Sequence, residues 1–140
     1  MSSSISKYDF DIVVVFIGRN DESNLSGIDT RYKQLLDEIF KVNPNASVYC
    51  SDVIPKRGGN ISGELIDSAL NYKLPKICKE YTESGKKTTF VKMNNVSWPS
   101  DMYGDAVHPN EKGNEQIAKI FWDAIHDEVL MINDSGDSSY

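Results

Sequence analysis

Positive charge is scarce in this 140-residue sequence: 15 lysines and arginines stand against 21 acidic residues, a formal net charge of −6. Phosphates would be repelled rather than neutralised, which excludes nucleic acid and anionic membrane surfaces as partners. Histidine is scarcer still, with two residues, and so is cysteine, with Cys50 and Cys78 in no CxxC spacing. No clustered ligands suggest a metal site, and no cofactor is expected. Buried free thiols are the default for the cysteines, with a disulfide between them left open. The longest apolar run, Ile12 to Ile17, is too short to cross a bilayer and carries neither a basic flank nor a small-residue cleavage site. Neither a membrane span nor a signal peptide is expected. No glycine-rich phosphate loop follows any apolar run, which weighs against a nucleotide-binding domain, including one of the flavodoxin-like kind that binds a phosphate there.

What is present fits one ordinary domain, with 39% hydrophobic and 26% charged residues. Residues 1–7 form a polar lead expected to be disordered, residues 8–132 the domain, and residues 133–140 a polar tail expected to be disordered. Asp11 to Ile17 is continuously apolar and β-branched, the pattern of a parallel strand covered on both faces. Asp29 or Thr30 can cap a helix carrying Tyr32, Leu35, Leu36, Ile39 and Phe40 at three-and-four spacing, stopped by Asn43-Pro44. Ser47 to Ile54 reads as a second strand. Ser62 can cap a helical segment whose period runs to Tyr81, with a kink or break around Asn71 to Leu74 because of Pro75. Thr88 to Met93 reads as a third strand. A last helix spans about Asn110 to Leu130, with Ile117, Ala118, Phe121, Trp122, Ile125 and Val129 as its buried face. This alternation, without hairpin signals, predicts an α/β fold: a three-stranded parallel sheet with flanking helices, its ligand crevice beyond the strands' carboxyl ends.

Two polar turns lie at that end. Gly18-Arg19-Asn20-Asp21 follows the first strand, and Gly104-Asp105-Ala106-Val107-His108-Pro109 follows the third. An acid three residues before a histidine can fix the ring's tautomer and leave its other nitrogen free as a general base. Pro109 restricts His108 to extended backbone and suits the first turn of the helix behind it. An amide such as that of Asn20 is the donor type that stabilises a tetrahedral oxyanion. Gly18 and Asp21 read as support for the turn. His126, expected in the final helix's last turn, reads as an exposed or dipole-complementing residue.

Taken together, in order, and each at the end of its proper element, these blocks resemble those of SGNH (GDSL-type) ester hydrolases. The family's Gly-x-Asn-Asp block corresponds to Gly18 to Asp21, and its Asp-x-x-His block to Asp105 to His108. The resemblance covers roughly Asp9 to Ile125 and implies the carboxyl-terminal part of a flavodoxin-like SGNH fold. It assigns His108 as base, Asp105 as its orienting acid and Asn20 as oxyanion donor. It implies a carboxylic ester substrate, either a carbohydrate acetyl ester or a lysophospholipid-like one.

The family's nucleophile sits in a Gly-Asp-Ser block after the first strand of its sheet, and a further block supplies a glycine oxyanion donor. Neither precedes Ile12 here, and Gly136-Asp137-Ser138 lies in the polar tail with no strand before it. The chain therefore reads as truncated, with no nucleophile of its own. Two functions stay open: a serine ester hydrolase present in part, or a catalytically inactive binding or interaction remnant of the fold. Arg19, where the family often has threonine, and Asn114, where it often has an aromatic, blur the subfamily. The strand at 12–17 would lie at an exposed sheet edge, a route to self-association. Five Asn-x-Ser sequons, at Asn24, Asn45, Asn60, Asn95 and Asn133, exceed the roughly one or two expected by chance and lean towards a secreted lineage.

Overall fold

The computed structural model describes residues 11–19 and 24–137, with side chains as far as Val129. The lead, Asn20, Asp21 and the last three residues lie outside the described residues. Three parallel strands, β1 (Ile12–Val15), β2 (Ser47–Ser51) and β3 (Thr88–Val91), lie in the order β1-β2-β3. The register pairs Val13 with Val48 and Val48 with Thr88. Each strand is shorter than its apolar run, because pairing stops at Val15–Cys50 and Ser51–Val91 while the chain continues unpaired into the loops.

Helices α1 (Ile28–Val42) and α2 (Leu74–Glu83) are the two crossovers and cover one face. Ile28, Tyr32, Leu36 and Phe40 of α1 and Leu74, Ile77 and Cys78 of α2 bury against Val15, Val48 and Cys50. Both cysteines are buried free thiols. The third helix, α3 (Glu111–Asp137), covers the other face, where Phe121 packs with Tyr49, Val91, Met93 and Trp98. Strand alternation produces this division: Val13 and Val15 face α1 and α2, whereas Ile12 and Phe16 face α3.

Several local readings change. Gly27, not Asp29 or Thr30, caps α1, its carbonyl accepting the first helical bond from Arg31 at 3.0 Å. Asn60, not Ser62, caps the next turn, Ile61–Gly63, by accepting from the Ser62 N–H at 3.1 Å. The break before Pro75 is present. The chain widens into a turn in which the Tyr72 N–H reaches the Asp67 carbonyl at 2.8 Å, and α2 restarts at Leu74 with Pro75 in its first turn, where no donor is lost.

The α3 helix runs past Leu130 into the stretch assigned to the polar tail, so His126 lies inside the helix, its ring 5.7 Å from that of Trp122. Ala118 and Trp122 face solvent, Trp122 with 54% exposure, while Ile120 and Ala124 join Ile117, Phe121 and Ile125 towards the sheet. A three-and-four stripe wide enough to admit both sets left the helix's rotation undetermined. Strand β1 is one of the two edge strands of the described sheet, and Val14 on it is 49% exposed. No described helix is long and apolar enough to cross a membrane.

Candidate active site

Beyond the carboxyl ends of β1 and β2 lies a cleft of about 420 Å³ lined by Phe16, Ile17, Gly18, Arg19, Val53, Ile54, Val107, His108 and Pro109. The two polar turns thus meet at one crevice, as far as the first is described. Gly18 closes its wall with φ 131°, and a Cβ there would come within 2.7 Å of the Val53 side chain and 3.0 Å of Leu70. Only glycine fits both the angle and the space. Asn20 and Asp21 follow immediately but fall outside the described residues, so their roles rest on sequence alone.

The Asp105–His108 loop is built on local hydrogen bonds. One carboxylate oxygen of Asp105 accepts from the backbone N–H groups of Val107 and His108, both at 2.8 Å. The His108 Nδ1 lies 2.9 Å from the other oxygen. The backbone donors of Val107 and His108, followed by the His108 ring, lower the Asp105 pKa to about 2. An ionised carboxylate can only accept, so Nδ1 carries a proton, and it is Nε2 that offers its lone pair when the ring is neutral. Among the described residues nothing hydrogen-bonds Nε2, and the ring is 71% exposed. The arrangement can take a proton from a nucleophile brought to Nε2.

This dyad has a signature in solution. The depressed Asp105 pKa means the ionised contact is present above the unfolded value, about 3.9, and is lost only as pH falls through about 2. We expect the Asp105 carboxyl carbon to titrate by NMR with a midpoint near 2. A midpoint at or above about 4, the free carboxylate's value, would contradict the hydrogen-bonded loop.

The loop is anchored at both ends. Gly104 N–H donates to the His108 carbonyl at 2.8 Å, Tyr103 bridges Pro109, and Arg57 N–H donates to the Ala106 carbonyl at 2.9 Å. Pro109 therefore lies in this bridge, one residue before the helix cap and outside the first turn. Asn110 is the cap: its Oδ1 accepts from Gly113 N–H at 3.0 Å, while its amide donates to the Asp101 carbonyl at 2.8 Å. Gly113 is required by close approach, since a Cβ would sit 2.3 Å from the Met102 carbonyl oxygen.

The cleft floor is held by residues that sequence reasoning missed. After β2 ends, the backbone of Val53, Ile54 and Pro55 has no strand neighbour, and side chains take over. Asn71 grips Val53 at both polar groups, accepting from its N–H at 2.7 Å and donating to its carbonyl at 3.0 Å. Asn94 also donates to that carbonyl, at 2.7 Å, and to Asp52 at 2.8 Å. Arg19 donates to the Ile54 carbonyl and pairs with Glu64 at 2.6 Å, and the Tyr103 hydroxyl donates to the Pro55 carbonyl. Burial raises the Asp52 pKa, only partly offset by its hydrogen bonds from Asn94 and Met93. The available signal was a polar residue in a buried row: Asn71 interrupts the face formed by Ile66, Leu70 and Leu74.

Among the described lining residues none is serine, threonine or cysteine, and no described cluster of acids, histidines and cysteines could hold a metal. Residues 3–116 match the family model described as GDSL-like Lipase/Acylhydrolase family. The chain is 32% identical over 125 residues to a multidomain esterase of Ruminococcus flavefaciens, covering 84% of this chain and 16% of that protein. It is 30% identical over 115 residues to a putative endoglucanase X of Acetivibrio thermocellus, covering 80% of this chain and 48% of that one. Among solved structures, the Clostridium thermocellum family 3 carbohydrate esterase superposes with a TM-score of 0.70 at 28% identity, covering 87% of this chain and 59% of that chain. The chain spans less than two thirds of the length of each of these proteins.

Proposed function

This chain belongs to the GDSL-like lipase/acylhydrolase family, and we propose that it forms the base-bearing part of a serine hydrolase that removes acyl groups from carbohydrate esters. The observation that carries this is the His108–Asp105 pair at the lip of the cleft, with Nδ1 held by an ionised carboxylate and Nε2 open. In this reading His108 takes the proton of an attacking serine and returns it to the leaving alcohol, and Asp105 stabilises the imidazolium between those steps. Asn20, by its family block, donates its amide to the oxyanion. A carbohydrate alcohol is favoured over a lysophospholipid because two of the similar proteins are named as esterases, one of them a carbohydrate esterase.

The serine would come from polypeptide outside this chain, pairing along the edge of β1 that has no strand partner among the described residues. In that case the 140-residue chain by itself does not turn over. Acetylated sugars and short acyl esters should give rates equal to a mock preparation, because His108 without an aligned nucleophile retains little of a coupled constellation's rate. Robust hydrolysis by the chain alone, abolished by His108→Ala, would show that the nucleophile lies within it. The second reading, an inactive binding module of the same fold, is favoured by the lack of a nucleophilic side chain among the described lining residues. It predicts that no added serine-bearing segment restores turnover.

A further inference from the structure

The five Asn-x-Ser sequons play no part in the ester chemistry, and the four whose side chains the structure describes, all but Asn133, stand apart from most of the other described asparagines. Asn43, Asn71, Asn94 and Asn110, none of them in a sequon, each spend the side-chain amide nitrogen on an internal bond, to Asp11, Val53, Asp52 and the Asp101 carbonyl respectively. Asn24, Asn45, Asn60 and Asn95, all in sequons, are exposed and lie outside the α-helices and strands. Among the described residues their amide nitrogens make no hydrogen bond. The contrast holds between near neighbours: Asn94 is tied to Asp52 while Asn95 is open, and Asn43 is tied to Asp11 while Asn45 is open. Asn60 is occupied only at its oxygen, which accepts from the Ser62 N–H at 3.1 Å and the Ser62 hydroxyl at 2.9 Å, leaving Nδ2 to solvent. Asn114, on the first turn of α3, is exposed without being in a sequon.

A second observation concerns Ser47, the hydroxyl residue of the Asn45 sequon. It is 2% exposed on β2, and its Oγ has no hydrogen-bond partner. A buried hydroxyl without a partner costs stability that alanine at the same place would not. The fold gives no reason for serine there; the sequon does, since the enzyme that reads it meets the chain before folding.

We infer that Asn24, Asn45, Asn60 and Asn95 are N-glycosylation sites. At each, Nδ2 attacks C1 of an oligosaccharide carried on a lipid pyrophosphate. The Nδ2–C1 bond forms, the C1–O bond to the pyrophosphate breaks, the lipid pyrophosphate leaves, and one amide proton passes to the transferase. All four positions accept the added sugar without disturbing an internal bond. Asn60 and Asn95, in the loops after β2 and β3, would bring glycans to the end of the sheet that bears the cleft.

The test secretes the full chain from a yeast host, releases N-glycans with a peptide N-glycosidase in heavy-oxygen water, and maps the labelled aspartates. Labelling is expected at all four asparagines, and Ser26→Ala, Ser47→Ala, Ser62→Ala and Ser97→Ala should each remove one step of gel mobility. If secretion fails, translation into microsomes reads the same steps without export. A position that stays unlabelled in both systems overturns its own assignment, and unchanged mobility overturns the proposal. The Ser47 argument is checked separately: with both proteins made in a host that adds no N-glycan, Ser47→Ala should melt at a higher temperature than the parent, and a lower one contradicts it.

Discussion

Replacing His108 by alanine should cost on the order of 10⁴-fold or more in kcat once the chain is completed by a serine-bearing segment. A suitable form is a chimera with the amino-terminal portion of the Clostridium thermocellum esterase. The size follows from coupling: without His108 the serine proton has no acceptor, so the nucleophile stays a neutral hydroxyl. Asp105→Asn should cost less, roughly 10²- to 10⁴-fold, because the backbone bonds from Val107 and His108 can still shape the loop around an amide oxygen. It removes the ionised partner of Nδ1 while leaving the ring near its place. Asn20→Ala should lower the rate by about 10²- to 10³-fold, with KM little changed if the amide acts on the oxyanion. A His108→Ala chimera as active as the parent would remove the base assignment.

The second large effect concerns association. Among the described residues strand β1 forms its ladder with β2 alone, and its other side presents backbone groups without a strand partner beside an exposed Val14. Trp122 on α3 and Ile17 at the strand's end add further exposed apolar surface. Such an edge, without proline or charge along Ile12–Val15, templates pairing with another chain. We expect the 140-residue chain to self-associate, with a light-scattering mass at least twice that of the monomer at micromolar concentration. Val14→Lys should return most of it to monomer. Because Val14 is already half exposed, the substitution should change folding stability by no more than about 1 kcal/mol. A cooperative melt together with a monomeric mass for the parent would contradict this edge account.

The sequence made the layers legible because burial repeats along it. Tyr32, Leu36 and Phe40 recur at helical spacing, and the Val13–Val15 run reads as a strand, although it is not covered on both faces as expected, since Val14 stays half exposed. The break before Pro75 was legible because its cause is local. Strand ends were not: whether Phe16 or Ile17 pairs depends on whether β2 still runs beside them, a fact about another part of the chain. The same distinction holds in the site. Asp105 and His108 are three residues apart, so their contact is written into one turn. Asn71, Asp52 and Asn94 reach partners 18 to 42 residues away, and only the sheet brings them together. Trp122 misled because an aromatic residue beside an apolar stripe reads as core, whereas α3 turns it to solvent.

The measurement that tests the central claim most directly is covalent labelling of the chimera by a fluorophosphonate, which reports activation of its serine by His108 without requiring the natural substrate. The adduct should form on a serine of the added segment, and His108→Ala should slow its formation by about 10³-fold or more. Labelling at an undiminished rate in the His108→Ala protein would contradict the account.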